Sequence, residues 1–299
     1  MMRLLITGGR GFVGRNALLT AVQSGAEVHA ITSTPDNGPD FAQLPVAWHH
    51  ADLRTPGVAS KLIADIKPTH VLHMAWVTSH GAFWHSDENL MWLATTTELI
   101  HAFAGHDGQR FVLAGTCAEY DWTHGFLSEG ITPEKPHTLY GTCKLAATNA
   151  LLASARQSGF SAAVGRVFFA YGPHEDARRI VPYACKAFLD DREANFTSGR
   201  QLRDFLHVSD VADGFSTLIA SEENGVFNVS HGMPSSLRSI VETVHELTGG
   251  RGRPIFGALA DRPDDPPLLV GDNRRLLALG WKPKIAERDG LQQTLEWWQ

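Results

Sequence analysis

The chain has 299 residues, 43% of them hydrophobic and 19% charged, which is enough apolar material for one large packed domain or two smaller ones. Its formal charge of -6, from 32 Asp and Glu against 26 Lys and Arg, offers no broad basic surface to a phosphate backbone, so nucleic acid is not an expected partner. Three cysteines without CxxC spacing and 15 histidines without HExxH indicate neither a disulfide framework nor a metal centre.

A first strand pattern, Leu4 to Thr7, begins too early to leave room for a signal peptide. No apolar run nears the roughly 18 residues of a membrane span, and a cytoplasmic protein without membrane contact is expected. Val13, Ala17, Leu18 and Ala21 then repeat at helical spacing until Gly25. Val28 to Thr32, Val46 to His49, Val71 to Ala75 and Phe111 to Ala114 follow as short strand patterns, with a long helix at Asn89 to Phe103 before the last. Leu139 to Ala155 is rich in Ala and Leu and reads as helix; Ala163 to Phe169 reads as a sixth strand. Such alternation implies a parallel sheet with right-handed crossovers and helices on both faces, an α/β fold of the doubly wound Rossmann type. Beyond the sixth strand Pro, Gly and Arg become denser up to Asp261 to Pro267, and the alternation weakens. We read 1–165 as a dinucleotide-binding domain and 166–299 as a smaller mixed α/β substrate domain. The two interleave, because about 205–228 still reads as strand and helix belonging with the first.

Thr7-Gly8-Gly9-Arg10-Gly11-Phe12-Val13-Gly14 follows the first strand and opens the first helix. Glycines there allow positive φ, let backbone N–H groups approach a pyrophosphate, and leave the anion at the positive end of a helix dipole. Gly8, Arg10, Gly11, Phe12 and Val13 are therefore candidate cofactor contacts. An NAD-preferring unit places Asp or Glu at the end of strand two, but this chain has Thr32-Ser33-Thr34. With no carboxylate to repel a 2′-phosphate, and with Thr32, Ser33 and Arg10 at hand, NADP is favoured. Arg10 reads equally as a solvated loop residue, and Asp36 leaves NAD open. After strand three, Asp52 and Leu53 either hold the adenine edge or cap a helix.

Tyr140 and Lys144 stand four apart on the Leu139 to Ala155 helix and so share a face. An ammonium beside a phenol favours phenolate, and the phenol must fall from about 10 toward neutrality to exchange protons near pH 7. Thr116 ends the fifth strand, on the edge where a parallel sheet opens onto its ligand crevice, and its hydroxyl can bond a carbonyl oxygen.

With these motifs the chain resembles the extended short-chain dehydrogenase/reductases, the nucleotide-sugar epimerase, dehydratase and ketoreductase family. The resemblance runs through TGGRGFVG at Thr7, HMA at His73, GTCAEY at Gly115, YGTCK at Tyr140, YGP at Tyr171, RDFLHVSDVA at Arg203, FNVS at Phe227 and LGWKP at Leu279. It implies that Thr116 polarises a carbonyl, Tyr140 is the acid/base, and Lys144 binds the nicotinamide ribose and tunes the tyrosine. It also implies Ala75 and Phe168 as cofactor contacts, and Thr78, Thr116, Arg179, Arg203 and Arg262 as substrate contacts. Arg203 and Arg262 would clamp a diphosphate, their alternative being pairing with Asp204 or Asp261.

Departures from the family narrow the reaction. Cys117-Ala118 replaces the acidic pair of the 4,6-dehydratases, so elimination lacks its acid and base. The Cys and His of the double epimerases correspond to Ala118 and Arg179. Phe169 stands where many relatives have Asn, and the Trp76 to Trp84 stretch, with Thr78, His80 and Gly81, departs from the usual substrate loop; its aromatics pack either on a sugar or in the core. Three readings follow: an NAD(P)-dependent 4-ketoreductase of a nucleotide-activated, 6-deoxy sugar; a nucleotide-sugar 4-epimerase with bound NAD; and a dinucleotide sensor without catalysis. The helices at Asn89 to Phe103 and Leu139 to Ala155 resemble the pair through which relatives form homodimers.

Overall fold

The computed structural model describes residues 2–34 and 41–299. Asp36 lies outside these residues. The first half alternates strand and helix except where β3 follows β2: β1 (Arg3–Thr7), α1 (Phe12–Gln23), β2 (Glu27–Thr32), β3 (Val46–His50), α2 (Val58–Ile66), β4 (His70–His73), α3 (Glu88–Ala104) and β5 (Arg110–Thr116). After the short β6 (Phe126–Leu127) come α4 (Leu139–Ser158), β7 (Ser161–Val167), β8 (Phe169–Tyr171), α5 (Ile180–Leu189), β9 (Glu193–Phe196), β10 (Leu202–Arg203) and β11 (Phe205–His207). The chain ends through α6 (Val208–Ala220), β12 (Gly225–Val229), β13 (Ser235–Ser236), α7 (Leu237–Leu247), β14 (Arg253–Phe256), β15 (Leu268–Gly271), α8 (Arg274–Ala278) and α9 (Glu287–Trp298).

The main sheet is parallel throughout, in the order β3-β2-β1-β4-β5-β7-β12. Its strands are hydrophobic on both faces, as a sheet covered twice requires. Because side chains alternate, Leu5, Val71, Phe111 and Leu113 enter one core with α3 and α4, whereas Leu4, Ile6, Leu72 and Val112 enter another with α1 and α6. Each buried Leu, Val or Phe contributes about 1.5–3 kcal/mol. The order reverses between β1 and β4, and this switch point opens a crevice at the carboxyl ends of the strands.

A third core joins α5, α7 and α9 through Phe188, Ile240, Val244 and Leu291. A separate four-stranded sheet has the order β13-β10-β15-β6. Two sequence expectations change here. The sixth strand breaks at Phe168 into β7, in the main sheet, and β8, which pairs with β11 instead. The strand at 205–207 therefore stays outside the main sheet, because it stops after three residues where His207 caps α6, while Gly225–Val229 returns to the sheet beside β7.

Candidate active site

The glycine loop is a cradle made by backbone. Gly8 has φ +71, and a Cβ on it would lie 2.7 Å from the Ala75 nitrogen, so the loop rests directly against the end of β4. A Cβ on Gly14 would collide with the Gly8 carbonyl, which fixes how α1 leaves the loop. Gly11 caps α1 with no side-chain hydrogen bond, so its first-turn N–H groups face outward with the helix dipole behind them. Thr7 joins loop and strand: its hydroxyl lies 2.6 Å from His73 Nδ1 and accepts from the amides of Met74 and Ala75 at 3.1 Å. His73, fully buried between Thr7 and Thr96, is driven down to about 3 by burial and then by the Lys144 charge, so it serves as a neutral hydrogen-bonding strut. A narrow, backbone-lined, anion-attracting cleft of this kind fits a dinucleotide pyrophosphate. Phe12 and Val13 form the first turn of α1 above it.

At the end of β2 Thr32 is buried and Ser33 exposed, while Arg10 donates to the Thr34 hydroxyl. Arg10 thus bridges the glycine loop to the second strand. Asp52 does not cap α2, whose N-cap is Gly57; its carboxylate pairs through both oxygens with Arg54, which also reaches Glu88 at 3.0 Å. Its neighbour Leu53 is buried, and its carbonyl accepts from Thr95 at 3.1 Å.

Tyr140, Lys144 and Thr116 come together. Thr138 caps α4 by accepting from the Gly141 amide at 3.1 Å. Gly141 lacks the Cβ that would run into the Ala118 carbonyl, so the first turn of α4 sits against the turn that follows β5. This brings the Tyr140 phenol near enough to Thr116 for the hydroxyl to act on its ionisation. Lys144 is buried, donates to the Ala114 carbonyl at 2.7 Å, and has its ammonium 4.1 Å from the centre of the Trp76 ring.

Burial pushes the Tyr140 phenol above its usual range, with Thr116 and Arg179 opposing. The Lys144 ammonium is turned to Ala114 and Trp76. Burial lowers Lys144 itself to about 8, against the pull of Glu119.

The residues from Trp76 to Trp84 line this side. Trp76, Val77 and Phe83 are buried, with Phe83 and Trp84 edge-on to the Tyr140 ring at 4.9 and 5.7 Å. Trp76 donates to Asn89 at 2.8 Å, and Asn89 in turn holds the carbonyls of Phe83 and Ser86, pinning the stretch to α3. The aromatics therefore frame the tyrosine as well as fill the core. Thr78 is exposed at the start of the stretch.

The expected substrate residues fall into two groups. Arg179 caps α5 and stands 5.9 Å from the Phe83 ring, and its charge reaches both Tyr140 and His80. Arg262 is exposed, yet also close enough to influence His80. Arg178 is tied to Asp176 at the surface. Arg203, buried on β10, pairs at 2.6 Å with Asp265 rather than with Asp204 or Asp261. Asp204 is already satisfied by the amides of His231, Gly232 and Gly271, and Asp261 accepts from Ser198. Phe169 lies beneath Arg203 at 5.6 Å, replacing an amide contact with a cation–π one. Phe168 is buried beside Cys117, Tyr120 and Leu269.

A glycine cradle at a switch point, with the Thr116 hydroxyl on a nearby strand end and the Tyr140 phenol and Lys144 ammonium on the helix packed against it, defines a dinucleotide-dependent enzyme of the extended short-chain dehydrogenase/reductase class. Residues 4–230 match the NAD dependent epimerase/dehydratase family, and the chain belongs to it. It is 25% identical to the UDP-glucose 4-epimerase of Azospirillum brasilense over 99% of this chain and 92% of the relative. To GDP-L-fucose synthase 1 of Arabidopsis thaliana it is 27% identical, over 99% and 93%. The solved structure of MoeE5 in complex with UDP-glucose and NAD superposes with a TM-score of 0.85 at 27% identity, covering 99% of this chain and 98% of that one. No helix among the described residues is long and apolar enough to cross a membrane.

Proposed function

We propose that the protein is an NADP-dependent 4-ketoreductase of a nucleotide-activated, 6-deoxy sugar, with Tyr140 as its acid. The observation that carries this reading is the placing of Tyr140 and Lys144 on α4 against the carboxyl end of β5, where Lys144 bonds the Ala114 carbonyl and Thr116 lies near the phenol, beside the crevice that the glycine cradle lines. Gly8, Gly11, Phe12 and Val13 hold the pyrophosphate, Ala75 and Phe168 flank the nicotinamide half, and Leu53 sits under the adenine. Thr32, Ser33 and Arg10, with no carboxylate among them, receive a 2′-phosphate, which favours NADP. When bound, the cofactor supplies the hydride. Thr116 bonds the substrate carbonyl and Tyr140 gives its oxygen the proton. Lys144 meets the ribose by leaving the Ala114 carbonyl.

Thr78 and Arg179 flank the sugar, and Phe83 and Trp84 give a deoxy carbon an apolar wall. Arg203 and Arg262 bind the diphosphate, Arg203 by exchanging Asp265 for phosphate oxygens. Residues 166–299 act as the substrate-covering part, the protein works in the cytoplasm, and α3 with α4 forms a homodimer contact; exposed Leu90 and Met91 on α3 support this. The second reading, a 4-epimerase holding NAD, is favoured by the relative named for that activity and by the neighbour with NAD. Mass spectrometry of co-purifying small molecules, followed by assay, tests the two. A reductase consumes one NADPH per keto sugar, whereas an epimerase converts its substrate with no net change in nicotinamide absorbance.

A further inference from the structure

Glu119 is fully buried, one turn beyond Thr116, and both of its oxygens are used. Oε1 accepts the Thr116 amide at 2.9 Å. Oε2 accepts the Thr148 hydroxyl at 2.9 Å and Arg166 Nε at 2.8 Å. These partners lie on three different elements. Thr116 ends β5, Arg166 is a fully buried residue of β7, and Thr148 is on α4 four residues beyond Lys144, on the face shared with Tyr140. Space has been cleared for the carboxylate as well, since a Cβ on Gly115 would stand 2.7 Å from Oε1. A buried carboxylate is costly unless paired and hydrogen-bonded, and here it is both: Arg166 answers its charge, and is itself held by Glu134 at 2.7 Å and by the face of Tyr120 at 4.2 Å. Apolar side chains in place of both Glu119 and Arg166 would often be as stable as such a pair, so the arrangement suits a role beyond stability.

We propose that Glu119 is a positioning residue of the active site, clamping the Thr116 main chain to the helix that carries Tyr140 and Lys144 and setting its negative charge beside the Lys144 ammonium. The inference rests on the reading of those three residues as catalytic. The Thr116 hydroxyl is the group that meets a carbonyl oxygen, and its direction follows its backbone; freeing the amide and the Thr148 link loosens it against the phenol. The electrostatic part has a direction too. Burial lowers Lys144 to about 8, and Glu119 is the charge that opposes this. The other titratable groups around Lys144 are Tyr140 on its own helix and neutral His73 on β4, with Arg166 of β7 behind Glu119. Among these Glu119 supplies the negative charge that favours the cationic lysine.

The test uses Glu119→Gln, which keeps the shape and removes the charge, and Glu119→Asp, which keeps the charge on a shorter arm. The Lys144 titration is followed in the free protein by NMR of 13C-labelled lysine, and exchange of the Thr116 amide by hydrogen–deuterium exchange. Neither readout needs a substrate, so both stand even where no keto sugar turns over and the ketoreductase reading fails. In Glu119→Gln the lysine midpoint falls by about half a pH unit or more. The Thr116 amide exchanges faster, and kcat drops roughly tenfold or more with KM little changed. In Glu119→Asp the midpoint returns toward the parent while kcat stays low. A folded Glu119→Gln protein with the parental lysine midpoint or with parental Thr116 exchange overturns the proposal. Should that variant not fold, Thr148→Val decides: faster Thr116 exchange supports the clamp, and exchange identical to the parent overturns it.

Discussion

The two sides of the crevice are built by different means. On the cofactor side, a single stretch from Thr7 to Gly14 makes the cradle, and the material is main chain: positive φ at Gly8, an uncapped helix start at Gly11, and contact with the Ala75 backbone. On the substrate side, the groups are side chains brought together from distant parts of the sequence, as Arg203 with Asp265 and Arg179 with Phe83. The catalytic group lies where the sides meet and borrows from both, since Thr116 and Lys144 are anchored to the end of β5 while Phe83 and Trp84 enclose Tyr140. A backbone site tolerates little change and serves a constant ligand. A side-chain site can be retuned one residue at a time, and the differently named relatives of this chain accord with that division.

The contrast can be broken most forcefully at the junction. Tyr140→Phe removes the proton donor while leaving the ring, and kcat is expected to fall about a hundred- to ten-thousand-fold with cofactor Kd nearly unchanged, as read by single-turnover kinetics and fluorescence titration. Parental turnover in that variant removes the assigned acid. The cofactor side is next. Gly8→Ala forces a Cβ into the Ala75 backbone at positive φ, and calorimetry is expected to show cofactor affinity reduced on the order of tenfold or more. Unaltered affinity there means that the loop does not approach a ligand closely. The smallest effect belongs to the substrate side. Arg203→Met keeps the stem over Phe169 and removes the guanidinium; KM for a nucleotide sugar is expected to rise about tenfold, with cofactor Kd untouched. If instead cofactor binding suffers, the division into two sides is wrong.

The same division explains what could be read from the sequence. The glycine loop was legible because everything it needs is local, and Tyr140 with Lys144 because a helix puts i and i+4 on one face. Thr116 followed from its place at a strand end. The use of Lys144 was not legible: its turn toward Ala114 depends on Trp76, whose arrival through the Asn89 contact no spacing announces. The pairing of Asp52 with Arg54 was not legible, because nothing in a nearby arginine says that it will fold back. Asp265 was passed over as the partner of Arg203 because the pair is separated by 62 positions and joined only by β10 beside β15. Glu119 did leave a signal, since Thr116 followed three residues later by Glu is the capping-box pattern, and the turn at Cys117–Glu119 has that box.

The central claim, that this crevice passes hydride between a nicotinamide and a sugar carbon, is tested most directly by isotope. With NADPH deuterated at C4 and a nucleotide-linked 4-keto-6-deoxy sugar, the account predicts one deuterium fixed on the sugar carbon for each cofactor oxidised. Cofactor that binds yet delivers no deuterium to any keto sugar tried, from NADPH or NADH, would contradict it.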